Sequence, residues 1–265
     1  MAERLVRVGG VRAVALGGSR ARGTHRPDSD WDLGVYYRGG PDLDALRRLA
    51  AEVTGKDVEI AAPGGWGPWV NGGAWLTVGE AHVDWIWRDL DRVEEVWAQC
   101  REGRYEVGIQ AGHPLGFWSP AYVGEVALGR VLADPGGELA ALRRTIDYPG
   151  PLRDALMAAG LWEAEFCLST ARKSARAGDV LHVVLSLSRA VGLLCQALHA
   201  GHRAWCLNEK GALPAAAALP GAPGDFRVRA EALLAAPGRT PADLAATLDA
   251  ADAVVASVRT ALATG

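Results

Sequence analysis

Between Val11 and Tyr36 the chain sets out an apolar run, two glycines, a hydroxyl, two arginines and two acids, in an order that few folds can accommodate. Val11 to Leu16 is apolar and short, the length of a buried strand. Gly17-Gly18 breaks it, and glycine lets a backbone turn sharply and lets a ligand approach closely. Ser19, Arg20 and Arg22 follow. A polar turn, Thr24 to Ser29, leads into Asp30-Trp31-Asp32-Leu33-Gly34-Val35-Tyr36, whose alternation predicts a second strand. Side chains alternate across a strand, so Asp30 and Asp32 are expected on one face, with Trp31, Leu33 and Val35 on the other.

Two carboxylates on one face repel unless a cation lies between them. The pair suits Mg²⁺, a hard ion that takes oxygen ligands and keeps phosphate oxygens in its shell. Asp-x-Asp alone is commonplace on solvated strand faces, and Gly-Gly-Ser alone is an ordinary turn. Their ordered combination is far more restrictive, and it reads chemically as a site for a nucleoside triphosphate with magnesium.

These residues resemble the nucleotidyltransferase superfamily, which includes DNA polymerase beta, the aminoglycoside nucleotidyltransferases and the small MNT-type antitoxins. Gly17-Gly18-Ser19 and Asp30-Trp31-Asp32 match the motif residue by residue, and Ser19 with Arg22 matches its Ser-x-x-Arg. The resemblance covers about the first third of the chain. It implies an α/β (α+β) fold: a catalytic domain with a mixed β-sheet flanked by helices, then a C-terminal helical bundle. It also implies that Gly17, Gly18, Ser19 and Arg22 bind the nucleotide and that Asp30 and Asp32 hold two Mg²⁺ ions.

The rest of the chain is read against that expectation. Hydrophobic residues make up 49% and charged residues 22%, with a net charge of −3. That balance disfavours nucleic acid as a partner and favours a small-molecule or protein acceptor. The N-terminus has no apolar signal core, no stretch reads as a membrane span, and the four cysteines form no Cys-x-x-Cys pair, so a cytoplasmic protein is expected.

Pro41 to Thr54 has helical spacing, with start residues Pro41 and Asp42 and a stop at Gly55. Lys56 to Ile60 reads as a short strand whose Asp57 and Glu59 lie on an exposed or rim face, with a role as rival metal ligands as the alternative. In the glycine-rich loop Pro63 to Gly73, Trp66 and Trp69 either stack on a ligand or pack on the sheet. Ala74 to Arg88 predicts a hairpin turning at Gly79-Glu80. In its second arm Val83, Trp85 and Trp87 share one face, and His82, Asp84 and Ile86 share the other. An acid amid so apolar a strand needs a reason. The resemblance supplies one: Asp84 matches the third acid of the superfamily, a metal ligand, a base for the acceptor hydroxyl, or both. His82 reads as its neighbour.

Asp89 to Arg101 predicts a helix, Tyr105 to Ser119 a loop or short strand, Pro120 to Gly129 a helix, Arg130 to Pro135 a last strand and Gly136 to Thr145 a helix. His113 is a candidate base or substrate contact, or a turn cap. Asp147 to Pro151 cannot continue a helix, giving domains at 1–148 and 149–265.

Beyond it the chain reads as helix: Leu152 to Ala177, Asp179 to Gly201, Phe226 to Ala235 and Pro241 to Ala263 opened by Thr240, with Pro214 to Gly224 as a linker. Glu163 is a candidate base, Lys173 and Lys210 are candidate phosphate contacts, and Asn208-Glu209 reads as a helix start. Arg176 to His182 fits the loose Arg-spacer-His pattern of HEPN ribonucleases, but Gly178-Asp179 breaks the helix between them.

The expected activity is transfer of a nucleoside monophosphate from an NTP, with ATP as the expected donor, to a hydroxyl of a small molecule such as an aminoglycoside-like antibiotic. Asp57, Glu59, Glu163 and Glu165 would offer such a cation an acidic cleft, and family members of this build sometimes work as homodimers. The alternatives are an MNT-like adenylyltransferase acting on a partner protein and a non-catalytic nucleotide sensor.

Overall fold

A computed structural model describes residues 1–264. They form two compact units, Met1–Cys100 with Tyr105–Asp147, and Arg101–Arg104 with Tyr148 onward.

The first unit runs α1 (Ala2–Leu5), β1 (Val11–Leu16), α2 (Gly18–Arg22), β2 (Trp31–Tyr37), α3 (Leu43–Thr54), β3 (Gly73–Val78), β4 (Ala81–Asp89), α4 (Leu90–Arg101), β5 (Val107–Gln110), β6 (His113–Trp118), α5 (Pro120–Leu128), β7 (Arg130–Ala133) and α6 (Glu138–Thr145). Five strands make one mixed sheet in the order β3-β4-β2-β1-β7, and β5 with β6 makes a separate hairpin. Only β2 and β4 run parallel within the large sheet; the other pairs are antiparallel.

Alternation sorts the sheet into two faces. Leu33, Val35, Val83, Trp85 and Trp87 are buried and join Leu5, Leu46 and Leu49 in one core. Trp85 and Trp87 have no exposed surface, and truncating a tryptophan so placed to Ala costs about 3–5 kcal/mol. The opposite face carries Asp32 and Tyr36 on β2 and Asp84 and Arg88 on β4. Arg88 and Tyr36 are buried there. Arg88 donates to both carboxylate oxygens of Glu125 on α5, at 2.5 and 2.8 Å.

Helix α3 begins and ends as its sequence predicts. The Asp42 carboxylate accepts from the Ala45 N–H at 2.9 Å, and Gly55 closes the helix in the left-handed region. Two expectations need correction. Residues 56–60 form no strand, so Asp57 and Glu59 are exposed loop residues. Residues 105–119 contain the β5–β6 hairpin, whose alternation is diluted by Gly108, Gly112 and Gly116. Gly108 is required, because a Cβ there would lie 1.8 Å from Nε1 of the Trp69 indole.

The second unit holds α7 (Gly150–Arg176), α8 (Val180–Gly201), α9 (Ala212–Ala217), α10 (Phe226–Ala235) and α11 (Pro241–Thr264). Gly178, in the left-handed region, parts α7 from α8, and Asp179 caps α8 by accepting from the His182 N–H at 3.1 Å. Thr240 opens α11 by accepting from the Asp243 N–H at 3.2 Å. Asn208-Glu209 opens no helix; α9 starts at Ala212 after Gly211 and runs into the segment expected as linker. Helix α8 also corrects an expectation, since by length and composition it could cross a membrane. Half of that apolar window is buried, against the neighbouring helices of the unit.

Candidate active site

The site begins where β1 ends. The Gly17 N–H donates to the Asp32 carbonyl at 2.8 Å, tying the glycine turn to β2. Gly18 has φ +59, and a Cβ there would lie 1.7 Å from Oδ2 of Asp32. The Asp32 carboxylate therefore lies over the turn, in space that only glycine leaves open. Ser19 is half-buried on α2. Arg22 is exposed, and its Nε donates to the Gly18 carbonyl at 3.2 Å.

Arg20 has a positioning role that the sequence did not disclose. Its guanidinium donates to the carbonyls of Ser29 at 2.7 and 3.0 Å, Asp30 at 3.2 Å and Pro27 at 3.3 Å, and lies 4.3 Å over the Trp31 ring. The fork holds the loop that delivers Asp30. Asp30 stands one residue before β2, exposed, rather than within the strand.

Asp84 enters from the neighbouring strand. Parallel pairing sets it directly beside Asp32, and adjacent strands lie about 4.8 Å apart. Its carboxyl is raised to about 6, by burial first, then by the charges of Asp32 and Asp30, with His82 pulling the other way. The three acids thus share one field. Among the described residues no three His, Cys, Asp or Glu side chains converge tightly enough to enclose an ion. Their chemistry nonetheless fits a hard divalent cation: the donors are all carboxylate oxygens, and the repulsion that raises Asp84 is what such a cation relieves.

One neighbour went unnoticed in the sequence. Trp75 of β3 pairs with Asp84, on the same face, and is 67% exposed. The signal was available: a two-residue turn at Gly79-Glu80 sets residue 75 opposite residue 84. Trp66 stacks on Trp75 with ring centroids 4.2 Å apart. Trp69 stacks on Phe117 at 5.9 Å under the Arg92 guanidinium. Both loop tryptophans thus have protein partners. His113 packs edge-on against Phe117. A cavity of about 320 Å³, bounded by Tyr37, Trp69, Trp87, Asp89 and Tyr122, includes none of the three acids.

The remaining candidates belong to the second unit. Glu163 accepts from Nε of Arg189 at 2.7 Å, and Glu165 pairs with Arg259. These ion pairs neutralise two of the four acids expected to attract a cationic acceptor. Lys173 and Lys210 are exposed.

Residues 1–62 match the family model of the nucleotidyltransferase domain. The match includes Gly17, Gly18, Ser19, Arg22, Asp30 and Asp32, and stops before Asp84. No curated protein matches the chain. Among solved structures, the chain is similar to a nucleotidyltransferase-like protein from Exiguobacterium sibiricum 255-15, at 12% identity and a TM-score of 0.46, over 94% of this chain and 70% of that one. The family match supports nucleotidyl transfer in general, with a nucleoside triphosphate as substrate.

Proposed function

We propose that the first unit transfers a nucleoside monophosphate, AMP from ATP, to a hydroxyl of a small molecule. The observation that carries this reading is the row made by the glycine turn, Asp32 and Asp84: a carboxylate over the turn, with a second carboxylate beside it on a parallel strand.

In this reading Ser19, Arg22 and the N–H groups of the turn hold the triphosphate. Asp30, Asp32 and Asp84 would hold Mg²⁺, which when bound supplies charge stabilisation at the phosphates. Asp84 takes the proton of the acceptor hydroxyl on a carboxylate oxygen. With its carboxyl near 6 in the metal-free protein, Asp84 is ionised at neutral pH, the form that accepts a proton. The bond from the acceptor oxygen to the α-phosphorus forms as the bond from the α-phosphorus to the bridging oxygen breaks, and pyrophosphate leaves. Positioning and charge stabilisation carry most of the rate in such transfers.

The test is pyrophosphate release from each NTP with Mg²⁺, across antibiotics and other hydroxyl compounds, with Asp32→Asn as control. Release that depends on one compound and vanishes in the control identifies donor and acceptor. Full activity in Asp32→Asn would sink the assignment. Silence across the panel, with Mg·ATP still binding, would point to a protein acceptor or a sensor.

A further inference from the structure

Strand β3 alternates between Ala74 and Leu76, buried in the core, and Trp75, exposed on the acid face. The indole is not adrift. Trp66 lies against it with the ring planes 14° apart, and a Cβ at Gly73 would come within 2.8 Å of the Trp66 ring. Gly73 thus makes the room that lets one tryptophan back the other.

The place of this pair in the sheet gives it meaning. Across one face run the glycine turn, Asp32, Asp84 and Trp75, in that order. The acids stand between the glycine turn, which holds the triphosphate in the reading above, and an aromatic platform. Displacement at the α-phosphorus is in line, so the entering oxygen approaches opposite the departing pyrophosphate. With the triphosphate on the turn, the oxygen enters from the β3 side. Directly paired residues have Cβ atoms about 5 Å apart, so a hydroxyl on a ring lying over Trp75 falls beside Asp84.

We propose that Trp75, backed by Trp66, is the stacking floor for the acceptor, and that the acceptor presents a flat ring face beside its reactive hydroxyl. An aromatic ring and the C–H face of a sugar ring share that chemistry. The word acceptor rests on the transferase reading above; the ring site does not.

The experiment follows the indole N–H resonance of Trp75 in the full chain, assigned with Trp75→Phe, during titration with phenyl β-D-glucopyranoside, methyl β-D-glucopyranoside and acyclic sorbitol. Calorimetry of Mg·ATP runs in parallel. Saturable shifts are expected with a ring compound and none with sorbitol; a response to the phenyl compound alone identifies an aromatic face, and a response to both a sugar face. Trp75→Ala should weaken ring binding by about tenfold or more, Trp75→Phe far less, and neither should move Mg·ATP affinity beyond about twofold.

A resonance that no ring compound moves, or equal affinity in Trp75→Ala, overturns the ring site. A parallel tenfold loss of Mg·ATP affinity overturns the acceptor role and gives the platform to the donor's base. Failure of the wild type to bind Mg·ATP removes the transferase reading and the acceptor role with it, while the Trp75 titration still reads the ring site by itself.

Discussion

Asp32 and Asp84 stand side by side across the one parallel strand pair of the large sheet. No sequence-local device makes that pairing; about fifty residues, including a helix and an edge strand, separate them. Two like charges held this close are a strain on the fold that a bound cation relieves.

The strain has a defined pH dependence. Folding raises Asp84 to about 6, above the ordinary value of about 3.9, so its ionised form is disfavoured in the folded state. The penalty is complete above pH 6, shrinks as pH falls through 6, and is gone near pH 4. Asp84→Asn should therefore raise the Tm of the metal-free protein by about 2–4 °C at pH 8, after discounting for a side chain still half in water, and by much less at pH 4.5. Scanning calorimetry in EDTA at the two pH values checks this, and an equal gain at both would refute it.

Gly18→Ala places a methyl where the Asp32 carboxylate lies. We expect the fold to survive, at a cost of about 1–2 kcal/mol for a left-handed alanine. Transfer should fall about a hundredfold or more, because the carboxylate must move. Circular dichroism and transfer kinetics on the same preparation separate the two effects.

Arg20→Ala frees the loop before Asp30. It should lower kcat/KM about tenfold and speed proteolysis within residues 24–30, with little change elsewhere. Arg20→Lys should not restore activity, since an ammonium cannot span three carbonyls as the planar fork does.

Glu125→Ala strands the buried Arg88 guanidinium. Urea unfolding should show a loss of about 3–5 kcal/mol. The double variant Arg88→Met, Glu125→Leu should recover most of it, because the penalty lies in the unpaired charge rather than in the loss of the pair.

The glycine turn, the first acids and most of the helices could be read from local pattern. Gly17-Gly18 and Asp32 are legible because one short motif, running from the end of β1 into β2, contains them all. Asp84 was legible as an acid out of place on an apolar strand, but its partnership with Asp32 depends on long-range register. Arg20 looked like one more cation, since its three carbonyl partners are made by a loop whose path no periodicity records. Lys56 to Ile60 carried a strand's residue types without a strand to pair with. The β5–β6 hairpin was obscured by Gly108, which is glycine because the Trp69 indole needs its space. Glu163 reads as a free acid in the sequence because the ion pair that Arg189 makes with it joins two helices.

Trp75 lies on an edge strand, whereas Asp32 and Asp84 lie on strands with a neighbour on each side. In the proposed reading, recognition and reaction therefore sit on different strands. A substitution on β3, or in the loop that carries Trp66, disturbs one side of one strand; a substitution at either acid disturbs a charge balance shared by three elements. On that reading, divergence among descendants of this sequence should collect on β3 and its loop, changing the acceptor and leaving the reaction as it is.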